Sequence, residues 1–191
     1  MEELIREFSL ERINKAGARF DIQKAQWFNQ QYLRSKSDDE LADYLLKSAA
    51  NDGGVQCSRN NALKIASIMR DRITFPKDLW EQGKFFFHPP DSFDQNVVGK
   101  KWNEDVVKVL SAYREAIAAA ELFDAGTAKA LLEQVTSQLG IGTGKILQAL
   151  RVAITGAGGG PDLMMIMEII GKDQVASRLD TALKTIKVRV A

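Results

Sequence analysis

The stretch Asn103-Glu104-Asp105-Val106-Val107-Lys108-Val109-Leu110-Ser111-Ala112-Tyr113-Arg114-Glu115-Ala116-Ile117-Ala118-Ala119-Ala120-Glu121-Leu122-Phe123 decides the fold class. Apolar residues recur at Val106, Val107, Val109, Leu110, Tyr113, Ile117, Ala120 and Leu122. A step of three or four positions lines up side chains along one side of an α-helix, whereas a strand would need strict alternation. The spacing therefore predicts a long amphipathic helix from Asn103 to Phe123, broken by Asp124-Ala125-Gly126.

Toward the carboxyl end the same reading repeats. Thr127 is expected to cap a helix reaching Leu139, and Thr143 one reaching Ile154. Gly160-Pro161 should start a third, because proline is preorganised for a first helical turn, and Gly171 is its natural stop. A last helix is expected from Asp173 to Ile186, with Val175, Leu179, Ala182, Leu183 and Ile186 inward.

Toward the amino end, Asp21 can cap a helix that runs to Arg34 with Ile22, Ala25, Trp27, Phe28 and Leu33 on its apolar side. Ser37-Asp38-Asp39-Glu40 matches the capping box, in which a serine hydroxyl and a glutamate carboxylate each satisfy an exposed amide. Leu41, Tyr44, Leu45 and Ala49 form the expected buried stripe of that helix. Ser58 or Asn60 opens another, with Ala62, Ile65, Ala66, Ile68 and Met69 apolar. From Thr74 to Gly99, Pro76, Pro89, Pro90 and Phe85-Phe86-Phe87-His88 favour short turns and loops. No strand-like alternation competes, so the class is all-α, read as two consecutive helical-bundle subdomains spanning 1–98 and 99–191.

The 191 residues suffice for one sizeable domain or two small ones, and 45% hydrophobic content suits a packed core. Charge is balanced, with 26 Lys+Arg against 25 Asp+Glu, so no strongly basic average points to nucleic acid. A protein that reads only the tip of an RNA stem needs a local positive surface instead. One cysteine, Cys57, excludes an intramolecular disulfide and fits a reducing compartment, with the cytoplasm as the expected location. Neither a basic-then-apolar leader nor an apolar run of about 18 residues occurs, so no membrane is expected.

The common enzyme constellations are missing. His88 is the single histidine, which excludes a paired-histidine metal site, and beside two prolines it reads as a loop residue. Cys57 reads as a small packing residue rather than a nucleophile. Gly156-Ala157-Gly158-Gly159-Gly160 precedes a helix as phosphate-binding glycine turns do, yet no Gly-Lys-Ser/Thr closes it. Gly142-Thr143-Gly144-Lys145 lacks the upstream glycine and the Ser/Thr after lysine, and reads as a helix cap. Asp38-Asp39 and Glu104-Asp105 sit at helix starts, where carboxylates complement the positive end of the dipole. What remains is a helical binding module.

Phe8-Ser9-Leu10-Glu11-Arg12-Ile13-Asn14-Lys15-Ala16-Gly17-Ala18-Arg19-Phe20-Asp21, followed by Lys24, Trp27, Phe28, Asn29, Gln31 and Tyr32, resembles glutamyl-tRNA synthetases of bacterial type. So do Leu150-Arg151-Val152-Ala153-Ile154-Thr155-Gly156, Gly160-Pro161-Asp162-Leu163 and Ile169-Ile170-Gly171-Lys172-Asp173. The resemblance covers nearly the whole chain. It implies the carboxyl-terminal, anticodon-binding region of a class I enzyme that joins glutamate to its tRNA using ATP and Mg. Both nucleotide-binding signatures are absent here. A fragment inactive alone is expected, without cofactor, its partners being the tRNA-Glu anticodon loop and the enzyme's own catalytic domain, with no DNA.

By that resemblance, Arg72 matches an arginine reading the last anticodon base, and Arg151 one contacting the first. A guanidinium offers fixed donors to a base edge and stacks on an unpaired base. Gly160, Pro161 and Leu163 match a corner that receives the first two bases, where exposed amides and a small apolar surface accept splayed-out nucleotides. From the residues alone the alternatives are an exposed helix charge for Arg72, a helix start for Pro161 and a core role for Leu163. The chain departs from the family pattern at Glu133, where some relatives place another contacting arginine, and at Gly160, where they carry a side chain able to hydrogen-bond. Trp27, Asn29 and Tyr32 are expected to pack against a neighbouring domain, and Lys24 to face either the tRNA or the catalytic part. The rival readings are a helical protein-interaction module, to which Met164, Met165 and Met167 would contribute an adaptable surface, and a small enzyme with an unfamiliar site.

Overall fold

The computed structural model describes residues 1–10, 19–52 and 54–188, so the segment 11–18 of the first resembling stretch lies outside the described residues. All regular elements among the described residues are helical. In chain order they are α1 Glu2–Glu7, α2 Ile22–Arg34, α3 Asp38–Asn51, α4 Arg59–Met69, α5 Asp78–Glu81, α6 Gln95–Lys101, α7 Glu104–Ala119, α8 Ala125–Gln138, α9 Thr143–Thr155, α10 Leu163–Ile170 and α11 Lys172–Thr185. Two single 3-10 turns, Arg70–Arg72 and Lys84–Phe86, interrupt the proline-containing middle.

Side-chain caps set most of the helix starts. Asp21, Ser58, Asn103 and Asp124 each accept the amide three residues on, and Ser37 with Glu40 forms the reciprocal box. Three expected starts move. Asp124 rather than Thr127 caps α8, because its carboxylate reaches the Thr127 amide at 2.7 Å. Thr143 is the first residue of α9 after Gly142, and its hydroxyl meets that of Thr136 at 2.8 Å. Pro161 precedes the start of α10, whose cap is Asp162 accepting the Met165 amide at 2.9 Å. Gly171 ends α10 as expected.

Burial corrects five apolar assignments. Tyr44 is exposed and Ala42 takes its place in the α3 stripe. Leu122 lies beyond the end of α7 and is 80% exposed. Ile22, Trp27 and Phe28 of α2 also face outward, and only Leu33 of that helix is buried. Of the three methionines of α10, Met167 is fully buried and Met164 and Met165 partly so.

One hydrophobic cluster runs from Leu33 to Ile186. Helix α3 packs on α4, and α7, α8, α9, α10 and α11 pack mutually around Leu110, Tyr113, Leu150 and Leu179. Position 98/99, where the sequence reading divided the chain, falls within α6, which lies against α9. Helix α4 meets α10 through the Lys64–Glu168 ion pair, and Glu168 also accepts the Ala125 amide at 2.9 Å. Those contacts tie α4 to α10 and α8, next to the α9–α10 corner that carries Arg151, Gly160, Pro161 and Leu163.

Candidate nucleic-acid interface

Arg72 stands at the end of a 3-10 turn pinned by its neighbours. Met69 and Ile73, buried on either side, anchor the turn in the core. Its other charges are engaged: Arg70 with Asp38, and Asp71 with Arg34 at 3.0 Å. Helix α2 holds the backbone, since the Asn29 amide donates to the Thr74 carbonyl and Gln30 Nε2 donates to the Asp71 carbonyl at 3.3 Å. Arg72 is left exposed with no carboxylate partner among the described residues. The packing role expected of Asn29 is therefore within the chain, beneath this turn.

Arg151 sits differently. It projects from α9 between Leu150 and Val152, both fully buried, and is itself half-buried. Its Nη1 is sealed from solvent with no hydrogen-bond partner among the described residues. Burial holds its pKa below the usual arginine value, with Asp162 opposing that shift and nearby Arg72 adding to it. The guanidinium stays charged under any physiological condition. The two arginines thus lie within electrostatic reach of one another.

The glycine corner explains where Arg151 can go. Gly156 ends α9 in the left-handed region at φ 79°, and a Cβ there would come within 2.6 Å of the Ser92 carbonyl oxygen. Gly160 has φ 151°, and a Cβ on it would stand 3.0 Å from Arg151 Nη1. The absent side chain is what leaves room for the guanidinium beneath the corner. Pro161 is buried, and Asp162 turns the chain into α10.

A groove of about 470 Å³ opens beside this corner, between α8, α9 and α10. Leu132, Leu147 and Leu163 give it apolar walls, while Glu133, Gln148 and Arg151 supply polar edges. Arg151 and Leu163 are both lining residues, and Gly160 adjoins through Arg151. Gln148 and Leu147 were not singled out from sequence; they precede Arg151 by three and four positions, the spacing that puts side chains on one helical face. Asp162, likewise missed, is both the α10 cap and the carboxylate that offsets Arg151. Glu133, the departure from the family pattern, faces the groove with Lys129 at 3.9 Å.

Other candidates carry less. Burial pushes the Cys57 thiol up, away from reactivity. No cluster of three or more His, Cys, Asp or Glu suited to a metal occurs among the described residues, and no described helix is long and apolar enough to cross a membrane.

Comparison with known proteins bears on the chain as a whole. Residues 26–183 match the family model described as an anticodon binding domain. The chain is 45% identical over all its 191 residues to a glutamate-tRNA ligase of Cytophaga hutchinsonii, and covers 37% of that protein. It is 35% identical over 187 residues to the glutamate-tRNA ligase of Bacteroides fragilis, again covering 37%. Among solved structures, the glutamate tRNA ligase of Elizabethkingia meningosepticum, in complex with its amino acid, superimposes with a TM-score of 0.87 at 39% identity. That match covers 97% of this chain and 37% of the other. The chain therefore spans little more than a third of the length of these relatives, and the matches favour anticodon recognition over a helical interaction module without RNA.

Proposed function

Because this chain belongs to the anticodon-binding domain family, matched over residues 26–183, we propose that it reads the anticodon of tRNA-Glu as part of a glutamate-tRNA ligase. Arg72 and Arg151 donate to base edges, and Gly160, Pro161 and Leu163 form the corner that accepts splayed-out nucleotides. The observation that carries this reading is Arg151 Nη1, buried and unpartnered at the edge of an open groove, with Arg72 in electrostatic range. A buried donor without an acceptor costs about 1–3 kcal/mol, and a nucleobase carbonyl or ring nitrogen would satisfy it.

Recognition here is without chemistry. Glutamate activation with ATP and Mg belongs to a catalytic part outside these residues, which this chain alone does not replace. The exposed apolar side of α2, with Ile22, Trp27 and Phe28 outward, is where that catalytic part packs. The setting is the cytoplasm.

The test is a binding titration at stated salt, using tRNA-Glu variants changed one anticodon base at a time against wild-type and Arg72→Ala proteins. Arg72→Ala is expected to lose about 1–3 kcal/mol of discrimination at a single base. Equal weakening for every anticodon, or no dependence of wild-type binding on anticodon sequence, overturns the assignment.

A further inference from the structure

Among the described residues Arg178 is the largest fully buried side chain, 2% exposed, and no sequence pattern assigns it a role. Its Nη1 donates to two carbonyls from separate elements, Phe85 at 2.7 Å and Ile154 at 2.9 Å. Its Nε has no partner among the described residues, and burial pushes its pKa down to about 10. It is still a cation at neutral pH, without a carboxylate at ion-pair distance among the described residues. Burying such a charge is costly, and an apolar residue of similar volume would be expected unless the cation does something.

What it does is visible from its acceptors. Ile154 lies in the last turn of α9, whose carbonyls have no helical partners, and a cation there also complements the negative end of the helix dipole. That same turn carries Arg151, three residues earlier, whose carbonyl accepts the Thr155 hydroxyl at 2.9 Å. On its far side Gly156 is clasped by the segment before α6, since its carbonyl accepts the Asp94 amide at 2.8 Å. One nitrogen of Arg178 therefore ties α11, the Lys84–Phe86 turn and the end of α9 at the point where α9 hands the chain to the glycine corner.

We infer that Arg178 is a positioning residue for anticodon recognition: by holding the last turn of α9 it sets the Arg151 guanidinium beneath Gly160, and so governs the base that Arg151 contacts. The inference rests on the recognition reading above. It assigns no contact with RNA to Arg178, which is sealed in the core. It separates the two arginines, because the Arg72 turn is held by α2 and owes nothing to Arg178.

The experiment compares Arg178→Met and Arg178→Lys with wild type, using circular dichroism for helix content, the side-chain NMR signals of Arg151 and Arg72, and binding to the single-base anticodon variants. Arg178→Met is expected to keep its helices and shift the Arg151 signal but not that of Arg72. It should lose roughly tenfold of discrimination, at the one base also lost in Arg151→Ala. Adding Arg151→Ala to it should cost nothing further at that base. Arg178→Lys, which keeps the charge and a donor, should retain part of the discrimination, and it carries the test should the methionine variant not fold. An unmoved Arg151 signal, or discrimination lost equally at all three bases, overturns the proposal. Should wild type discriminate no base, the recognition reading fails, and the Arg151 signal alone still decides whether Arg178 positions it.

Discussion

Arg72 and Arg151 lie within electrostatic reach of each other but project from differently built regions. Arg72 ends a surface turn whose other charges are neutralised by Asp38 and Arg34, and its own side chain is free in solvent. Arg151 leaves a helix with Leu150, Val152, Ala153 and Ile154 fully buried around it, and part of its guanidinium is desolvated with nothing to bond. A solvated arginine costs the fold little and can be aimed by its ligand. A desolvated one is aimed beforehand, at a cost in stability that a ligand relieves. Recognition and folding should therefore be separable at Arg72 and opposed at Arg151.

The largest expected effect comes from filling the space that permits this arrangement. Gly160→Val meets two penalties, a φ of 151° that side chains rarely adopt and a Cβ 3.0 Å from Arg151 Nη1. Strain of that kind costs about 1–3 kcal/mol, and the guanidinium must move as well. Denaturant midpoints should fall, and binding should lose its dependence on the base contacted by Arg151 while keeping that of Arg72. Retained discrimination at both bases would show that the corner tolerates a side chain and that Arg151 is not seated by the glycine.

The next comparison turns on sign. Replacing Arg151 with methionine keeps much of the stem and removes the unpartnered donor, so Arg151→Met should raise stability by about 1 kcal/mol while abolishing discrimination at one base. Arg72→Met should leave stability within about 0.5 kcal/mol of wild type. Thermal unfolding of both variants decides it: destabilisation by Arg151→Met would mean that this side chain is held by bonds, as structural arginines are. Asp162→Ala comes close behind, losing the α10 cap to the Met165 amide at a cost of about 1 kcal/mol, again read as a lower unfolding midpoint. An unchanged midpoint would remove the cap from the account of the corner.

How much of this was legible in the sequence follows from what sequence patterns encode. Capping is a local bond, and Asp21, Ser37 and Ser58 were readable because acceptor and amide lie three positions apart. Where two candidates compete within a few residues, as Asp124 with Thr127 or Pro161 with Asp162, the outcome depends on where the preceding chain arrives. The apolar side of α2 was readable as a pattern, but not that the fold buries only Leu33 of it and leaves Ile22, Trp27 and Phe28 outward. Arg72, Arg151 and the Gly160 corner were singled out through family resemblance. The close approach of Gly160 to the Arg151 guanidinium was not, because it depends on how the chain turns between α9 and α10. Arg178 left no signal at all, since its acceptors are backbone carbonyls that no residue type announces.

The registration of the two regions supplies the smallest effect and the finest test of the contrast between them. Lys64 of α4 and the Ala125 amide of α8 converge on Glu168 of α10, and these bonds, the Lys64 one foremost, hold its pKa below the usual carboxylate value. A carboxylate whose folded value is depressed stabilises the fold at pH above its unfolded value, and that contribution is lost as pH falls through the folded one. Unfolding followed from neutral pH down through the carboxylate range should therefore show a loss that Glu168→Gln flattens, on the order of 1 kcal/mol for partly exposed partners. Because this junction fixes the end of α4 against α10, Glu168→Gln should also change the spacing of Arg72 from Arg151 more than the seating of either. Discrimination would then weaken slightly at both bases together, unlike the single-base losses expected of the arginine variants. An identical pH profile for Glu168→Gln and wild type would mean that the core alone sets the register, and that the two regions are coupled through packing rather than through this half-buried carboxylate.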